Sequence, residues 1–86
     1  MPNSSQFLQA AETVQHLNNR PDNDTLGQLY GLYKQATVGD NNTPQPSMLD
    51  FKGSAKWKSW NNYRGLSTYK AEVQYITLVN NLLANE

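Results

Sequence analysis

Apolar residues recur at intervals of three and four in three separate stretches of the 86-residue chain, and no stretch alternates apolar with polar as a half-buried strand does. Phe7, Ala10, Ala11, Val14 and Leu17 form the first stripe. They predict an amphipathic helix from Ser5 to Asn18, capped by Ser4 or Ser5 and stopped by the run Asn18, Asn19, Arg20, Pro21. Asp22 or Asp24 opens a second helix, with its charge favourably placed at the positive end of the helix dipole. Its stripe is Leu26, Leu29, Tyr30 and Tyr33, widened by Leu32 and Ala36, and Gly39 is its stop. Gly27 and Gly31 lie inside that helix at about 1 kcal/mol each relative to Ala, which predicts the close approach of another helix or of a ligand. Asp40 to Asp50 reads as a loop from its prolines and asparagines, with Met48 and Leu49 expected to tuck into the core. Asp50 then caps a third helix from Phe51 to Arg64, ended by Gly65. Ser67 caps a fourth, whose stripe is Ala71, Tyr75, Ile76, Val79, Leu82 and Leu83. Lys70 stands where a capping box would place Glu, and its charge opposes the dipole, so fraying is expected at the start of this helix.

Four helices, no strand signal and no internal repeat predict an all-α bundle forming a single domain over residues 1–86. The long second connection permits a crossover as well as a plain up-down order, and spacing alone leaves the two open. The chain has no cysteine, so a disulfide framework and a thiolate site are both excluded, in keeping with a reducing compartment. A formal net charge of +0 gives no global pull toward nucleic acid or an anionic membrane. No apolar run approaches the roughly 18 residues of a membrane span, and Met1 to Gln9 lacks the pattern of a secretory signal. A cytoplasmic, monomeric protein is the expectation.

One segment is unusual for a core helix. Tyr30, Tyr33 and Lys34 fall at i, i+3 and i+4, so one helical face carries two aromatic rings, two phenol hydroxyls and an ammonium. The second half of the chain adds Lys52, Lys56, Trp57, Trp60 and Tyr75. Such a surface suits a ligand that offers a flat ring, phosphate and alkane together. The residues alone leave Tyr30 and Tyr33 open between core packing and ligand contact, and Lys52 open between ligand and solvent. Trp60 reads as core, Trp57 as packing between helices, and His16 as a packing or hydrogen-bonding residue.

These stretches resemble the acyl-CoA-binding protein family, also called diazepam-binding inhibitor. The resemblance rests on Y-x-x-Y-K-Q-A-T-V-G-D at Tyr30 to Asp40, M-L-D-F-K-G-x-A-K-W at Met48 to Trp57, W-N at Trp60 to Asn61, G-x-S at Gly65 to Ser67 and A-x-x-x-Y-I at Ala71 to Ile76. F-x-x-A-A-E-x-V-x-x-L at Phe7 to Leu17 is similar to the family's first helix. The resemblance implies a four-helix up-down-down-up bundle with an overhand connection. It implies non-catalytic binding of medium- to long-chain fatty acyl-CoA, in an intracellular carrier and pool former that meets acyl-CoA-using enzymes and membranes transiently. It implies no cofactor beyond that ligand.

Carried over position by position, the resemblance gives Tyr30 the 3′-phosphate, Tyr33 the adenine face, Lys34 and Lys56 the phosphate charge, and Tyr75 the closure of the site near the pantetheine or acyl chain. Gln15 stands where the family often has a nucleotide-holding Lys and retains an amide for hydrogen bonding. Gly27 stands where a large apolar residue usually floors the acyl groove, with Leu26 as a partial replacement, so bulkier or longer chains are expected to fit. The family's acid near Tyr69 or Lys70 is absent.

The chemistry agrees with these residue types. Phosphate favours charge-assisted hydrogen bonds, adenine gains roughly 1–3 kcal/mol by stacking on an aromatic ring, and each buried methylene contributes roughly 0.8 kcal/mol. Burying about ten methylenes gives on the order of 8 kcal/mol before ordering costs, so the chain governs discrimination against free CoA. The tyrosines and cations govern discrimination against free fatty acid. One histidine, no cysteine and no metal-ligand spacing argue against an enzyme and against a metal site. Lys52, Lys56, Lys58 and two tryptophans resemble a nucleic-acid surface only in part, because the charge is balanced and Asp40 and Asp50 lie nearby. A protein-interaction module or a signalling-peptide precursor of the same fold is the alternative that the resemblance allows.

Overall fold

A computed structural model describes residues 3–86; Met1 and Pro2 of the expected domain lie outside the described residues. The elements are α1 (Ser5–Thr13), a 3₁₀ turn at Val14–His16, α2 (Asn23–Thr37), α3 (Phe51–Asn61) and α4 (Thr68–Ala84), with no strand among the described residues. Each helix begins on a side-chain oxygen that accepts an otherwise orphaned backbone N–H. Ser4 accepts from Phe7 at 3.1 Å, Asp22 from Thr25 at 2.8 Å, Asp50 from Gly53 at 3.0 Å and Ser67 from Lys70 at 3.1 Å.

Two helices stop short of the expected ends. The first passes from α-helix to the tighter 3₁₀ turn at Val14, and Leu17 is already extended, several residues ahead of Pro21. The third ends at Asn61 rather than Arg64. Beyond it the backbone closes four-residue turns, Tyr63 N–H to the Trp60 carbonyl and Arg64 N–H to the Asn61 carbonyl, before Gly65 takes φ +91°. The Arg64 guanidinium donates to the Asn41 carbonyl at 2.7 Å, which draws this turn toward the α2–α3 connection.

The directions of the helices follow from which ends meet. Glu72, in the first turns of α4, accepts from the Ser4 N–H and the Asn3 amide at the start of α1, while Glu86 accepts from the Asn19 N–H beyond its end. So α1 and α4 are parallel. The Asn3 amide also donates to the Ala36 carbonyl and the Gln35 amide to the Leu66 carbonyl, which sets the end of α2 beside the starts of α1 and α4. Between α2 and α3 the partners climb together, Lys56 over Tyr30 and Lys34 over Trp60, so these two are parallel. The order is up-down-down-up, and the segment after α2 must return along the bundle before α3 can start. The core lies where α2 packs on α4 and α1 on α4, around Phe7, Leu29, Leu32, Ala71, Tyr75 and Val79.

The returning connection is anchored by polar contacts near its start. Asp40 accepts from the Gly65 N–H at 2.7 Å and from the Gln35 amide at 2.9 Å. Those two bonds, the backbone one foremost, hold its carboxyl below the usual range. Asn41 is buried, donates to the Trp57 carbonyl and accepts from Thr43. The Trp57 indole N–H donates to the Thr43 carbonyl at 2.9 Å, and that of Trp60 to the Gly39 carbonyl at 2.7 Å. Trp60 is buried as expected, whereas Trp57 is tied to the connection. Met48 and Leu49 do not tuck into the core: both are 86% exposed. With the connection held at its beginning and the α2–α4 interface already filled, its later half runs over the surface.

Candidate ligand-binding groove

Two ridges at four-residue spacing meet where α2 and α3 run side by side: Asn23, Gly27, Gly31 on one, Phe51, Ala55, Ser59, Tyr63 on the other. Gly31 is where they touch. A β-carbon there would stand 2.8 Å from the Ser59 carbonyl carbon and 2.7 Å from the Tyr63 ring, so only glycine lets the backbones come this close. The close approach expected at the two glycines is therefore that of another helix.

Beside this contact the helices part into an open groove of about 580 Å³. Leu26, Gly27 and Tyr30 line it from α2, Phe51, Ala55 and Lys56 from α3. Arg20, ahead of α2, and Lys52, in the first turn of α3, add cations, and Asn23 and Ser59 complete the walls. Three cations and no acid therefore line a trough whose other walls are mostly apolar. The Lys56 ammonium stands 5.6 Å from the centre of the Tyr30 ring, close enough for a cation–π contact that keeps the charge over the groove. Lys34, one turn beyond Tyr30, holds its ammonium 4.8 Å from the centre of the Trp60 ring. Trp60 is itself buried and donates its indole N–H to the Gly39 carbonyl, so the ring under the cation is held by packing and by a hydrogen bond.

Tyr30, Tyr33 and Lys34 share a face, but residues 33 and 34 are separated by about 100° around the helix, and the structure uses that spread. Tyr30 and Lys34 turn toward α3, whereas Tyr33 turns toward α1 and α4. There its ring stacks 5.7 Å from Phe7 and lies 6.1 Å from Tyr75. Tyr33 is 40% exposed and presents the edge of this aromatic cluster to solvent; Tyr75 is 4% exposed and belongs to the core. Burial, with the Tyr33 phenol nearby, pushes the Tyr75 phenol up from its ordinary value.

The structure thus gathers Leu26, Gly27, Tyr30 and Lys56 in one groove, sets Lys34 one turn along it, and places Tyr33 and Tyr75 on the adjoining α1–α4 side. Gln15 is not brought to the groove. Its amide bonds the Ala11 carbonyl of its own helix at 3.3 Å and is exposed. His16 pairs with Glu12 at 3.2 Å, a surface hydrogen bond as expected. Sequence reasoning missed Arg20, Asn23, Phe51, Ala55 and Ser59. The four-residue ridge Phe51, Ala55, Ser59, opposite Asn23 and Gly27, was the signal that could have found most of them. Among the described residues no group of three acidic, histidine or cysteine side chains is placed to hold a metal ion, and no helix is long and apolar enough to cross a membrane.

Comparison with known proteins points one way. The family model for acyl CoA binding protein matches residues 4–79. An acyl-CoA-binding protein homolog of Drosophila melanogaster is 52% identical over 81 residues, covering 94% of each chain. Acyl-CoA-binding protein homolog 1 of Caenorhabditis elegans is 49% identical over 78 residues, covering 91% of each. The crystal structure of acyl-CoA-binding protein 2 from Oryza sativa superposes with a TM-score of 0.90 at 39% identity, over 93% of this chain and 89% of that one.

Proposed function

The chain belongs to the acyl-CoA-binding protein family, and from that premise we propose that it is an intracellular carrier that sequesters medium- to long-chain fatty acyl-CoA and releases it to acyl-using enzymes. It binds acyl-CoA and is a binding protein, not an enzyme. The observation that carries the finer reading is the combination of cation and alkane surface in one groove. Arg20, Lys52 and Lys56 meet Leu26, Phe51 and Ala55 there with no acid among them. The anionic sugar-base end lies toward Tyr30, Lys34 and Lys56, with Tyr33 offering its exposed ring to the adenine. The chain lies toward Leu26, Gly27 and Phe51. Tyr75 acts through Tyr33 by holding that ring in place, and Gln15, exposed at the end of the first helix, offers its amide to the nucleotide end from outside the groove.

A groove open along its length exchanges ligand readily, which suits a cytoplasmic buffer acting as a monomer that meets enzymes and membranes only in passing. Calorimetric titration with CoA, palmitate and palmitoyl-CoA tests the reading. Palmitoyl-CoA is expected to bind at least about a hundredfold tighter than either fragment, since each 1.4 kcal/mol is about tenfold and the two halves contribute separately. Equal affinity for all three would refute a two-ended site.

A further inference from the structure

The cations along the groove fall into two groups. Lys56 stands over the Tyr30 ring at one end, and Lys34 lies one turn beyond it. Arg20 and Lys52 line the other end, where α2 and α3 begin. Leu26, Gly27 and Ala55 lie along the floor between them. Because α2 and α3 run parallel, residue spacing sets the length of the trough. Asn23, at the Arg20 end, precedes Tyr30 by about two turns, which is about 10 Å along the axis.

Neither of the far cations is neutralised by an acid. Among the described residues no carboxylate comes within ion-pair distance of Arg20 or Lys52. The nearest acids in the chain, Asp22 and Asp50, accept backbone N–H groups at the helix starts, and neither lines the groove. Asp24 lines the cavity on the opposite flank of the helix pair. The Arg20 guanidinium stands 3.5 Å from the side-chain oxygen of Asn23, itself a wall of the groove, so the charge is held at that wall. Both cations are exposed and neither contributes to the core.

A plain methyl end arriving here leaves both charges as they were. A carboxylate meets two charges of opposite sign and no like charge in the walls. Guanidinium can hold it through two parallel N–H bonds, and the ammonium supplies further donors. The groove is open, so the carboxylate keeps part of its hydration and escapes the desolvation cost that penalises buried ion pairs.

We infer that Arg20 and Lys52 form a subsite for a carboxylate at the far end of the acyl chain, so that the groove takes ω-carboxyacyl-CoA, a ligand anionic at both ends, as well as the plain thioester. This rests on the acyl-CoA reading of the groove, and the test separates the two. Calorimetry at low ionic strength measures free CoA, dodecanoyl-CoA, dodecanedioyl-CoA and the ω-amide of the last, which matches its shape without its charge. The proteins are the unmodified chain, Arg20→Gln, Lys52→Gln and the double variant.

In the unmodified protein dodecanedioyl-CoA is expected to bind about threefold to tenfold tighter than its amide, the range that two partly exposed ion pairs give. Each single substitution is expected to lower that ratio and the double variant to bring it to unity. A ratio of one in the unmodified protein overturns the subsite, as does a ratio that the double variant leaves unchanged. If the double variant weakens free CoA as much as dodecanedioyl-CoA, both cations serve the phosphates and the subsite is again overturned. Absence of dodecanoyl-CoA binding would instead strike the acyl-CoA reading itself.

Discussion

Gly27 and Gly31 sit one turn apart on the same ridge of α2 and meet the same residue, yet substitution should act on them in opposite directions. At Gly31 an added methyl must displace the Ser59 backbone, which α3 cannot yield without moving as a body. Gly31→Ala is expected to cost about 1–3 kcal/mol, the usual range for overpacking, despite the better helix propensity of alanine. At Gly27 the nearest atom is a hydroxyl at the end of a single rotatable bond, so it can turn aside. Gly27→Ala should then keep most of the roughly 1 kcal/mol that alanine gains over glycine inside a helix. Urea midpoints of the two variants measure this; a loss at Gly27 as large as at Gly31 would mean that the Ser59 hydroxyl cannot turn aside. The sequence flags both glycines as anomalies but does not distinguish them, because the difference lies in which atom of Ser59 faces each.

Element boundaries show the same division between local and distant causes. The caps at Asp50 and Ser67 were legible, and those at Ser4 and Asp22 to within two residues, because a capping oxygen and its N–H lie three residues apart. The end of α3 was not, since Arg64 leaves the helix to reach Asn41, far along the chain, and the tightening of α1 into a 3₁₀ turn at Val14 carries no sequence mark. Met48 and Leu49 misled for a related reason. Hydropathy reports that a residue favours burial, not whether the core has room, and the connection is instead secured by Gln35, Asp40 and Asn41, polar residues with no apolar pattern to mark them.

That anchor should respond to acid. The Asp40 carboxylate is held below its ordinary range by the Gly65 N–H and the Gln35 amide, so the unfolded chain binds its proton at higher pH than the folded one does. The resulting stability is fully present above the unfolded value of about 3.9 and is lost as pH falls through the lower folded value. Asp22 and Glu72 act in the same direction, so acid weakens the fold even without Asp40. In Asp40→Asn the proton-linked part at this site is gone. The stability gap between the natural protein and this variant should narrow as pH is lowered from about 6 to about 2.5. A gap constant across that range would show that the carboxylate's charge has no part in holding the connection.

At the scale of the whole molecule, a net charge of +0 conceals an uneven distribution. Arg20, Lys52 and Lys56 gather on the α2–α3 groove, and Lys34 stands beside it, while Asp22, Asp40 and Asp50 are occupied by backbone N–H groups at helix starts and turns. A ligand anionic at one end only should therefore feel two forces with different dependence on salt. Attraction between exposed charges is screened over about 10 Å at 0.1 M ionic strength and about 3 Å at 1 M. Burial of methylene groups is not screened. Measured over a series of acyl lengths, the logarithm of the dissociation constant should fall along a line whose slope per methylene is nearly the same at low and high salt, while the whole line shifts toward weaker binding as salt rises. Lys56→Ala should reduce that shift and leave the slope in place, because the ammonium it removes stands over the Tyr30 ring, at the end of the trough proposed for the anionic head. Calorimetry at two ionic strengths decides the point. A slope that changes with salt as much as the intercept does would mean that head and tail are not bound by separable surfaces, and that the groove works as one mixed patch along its whole length.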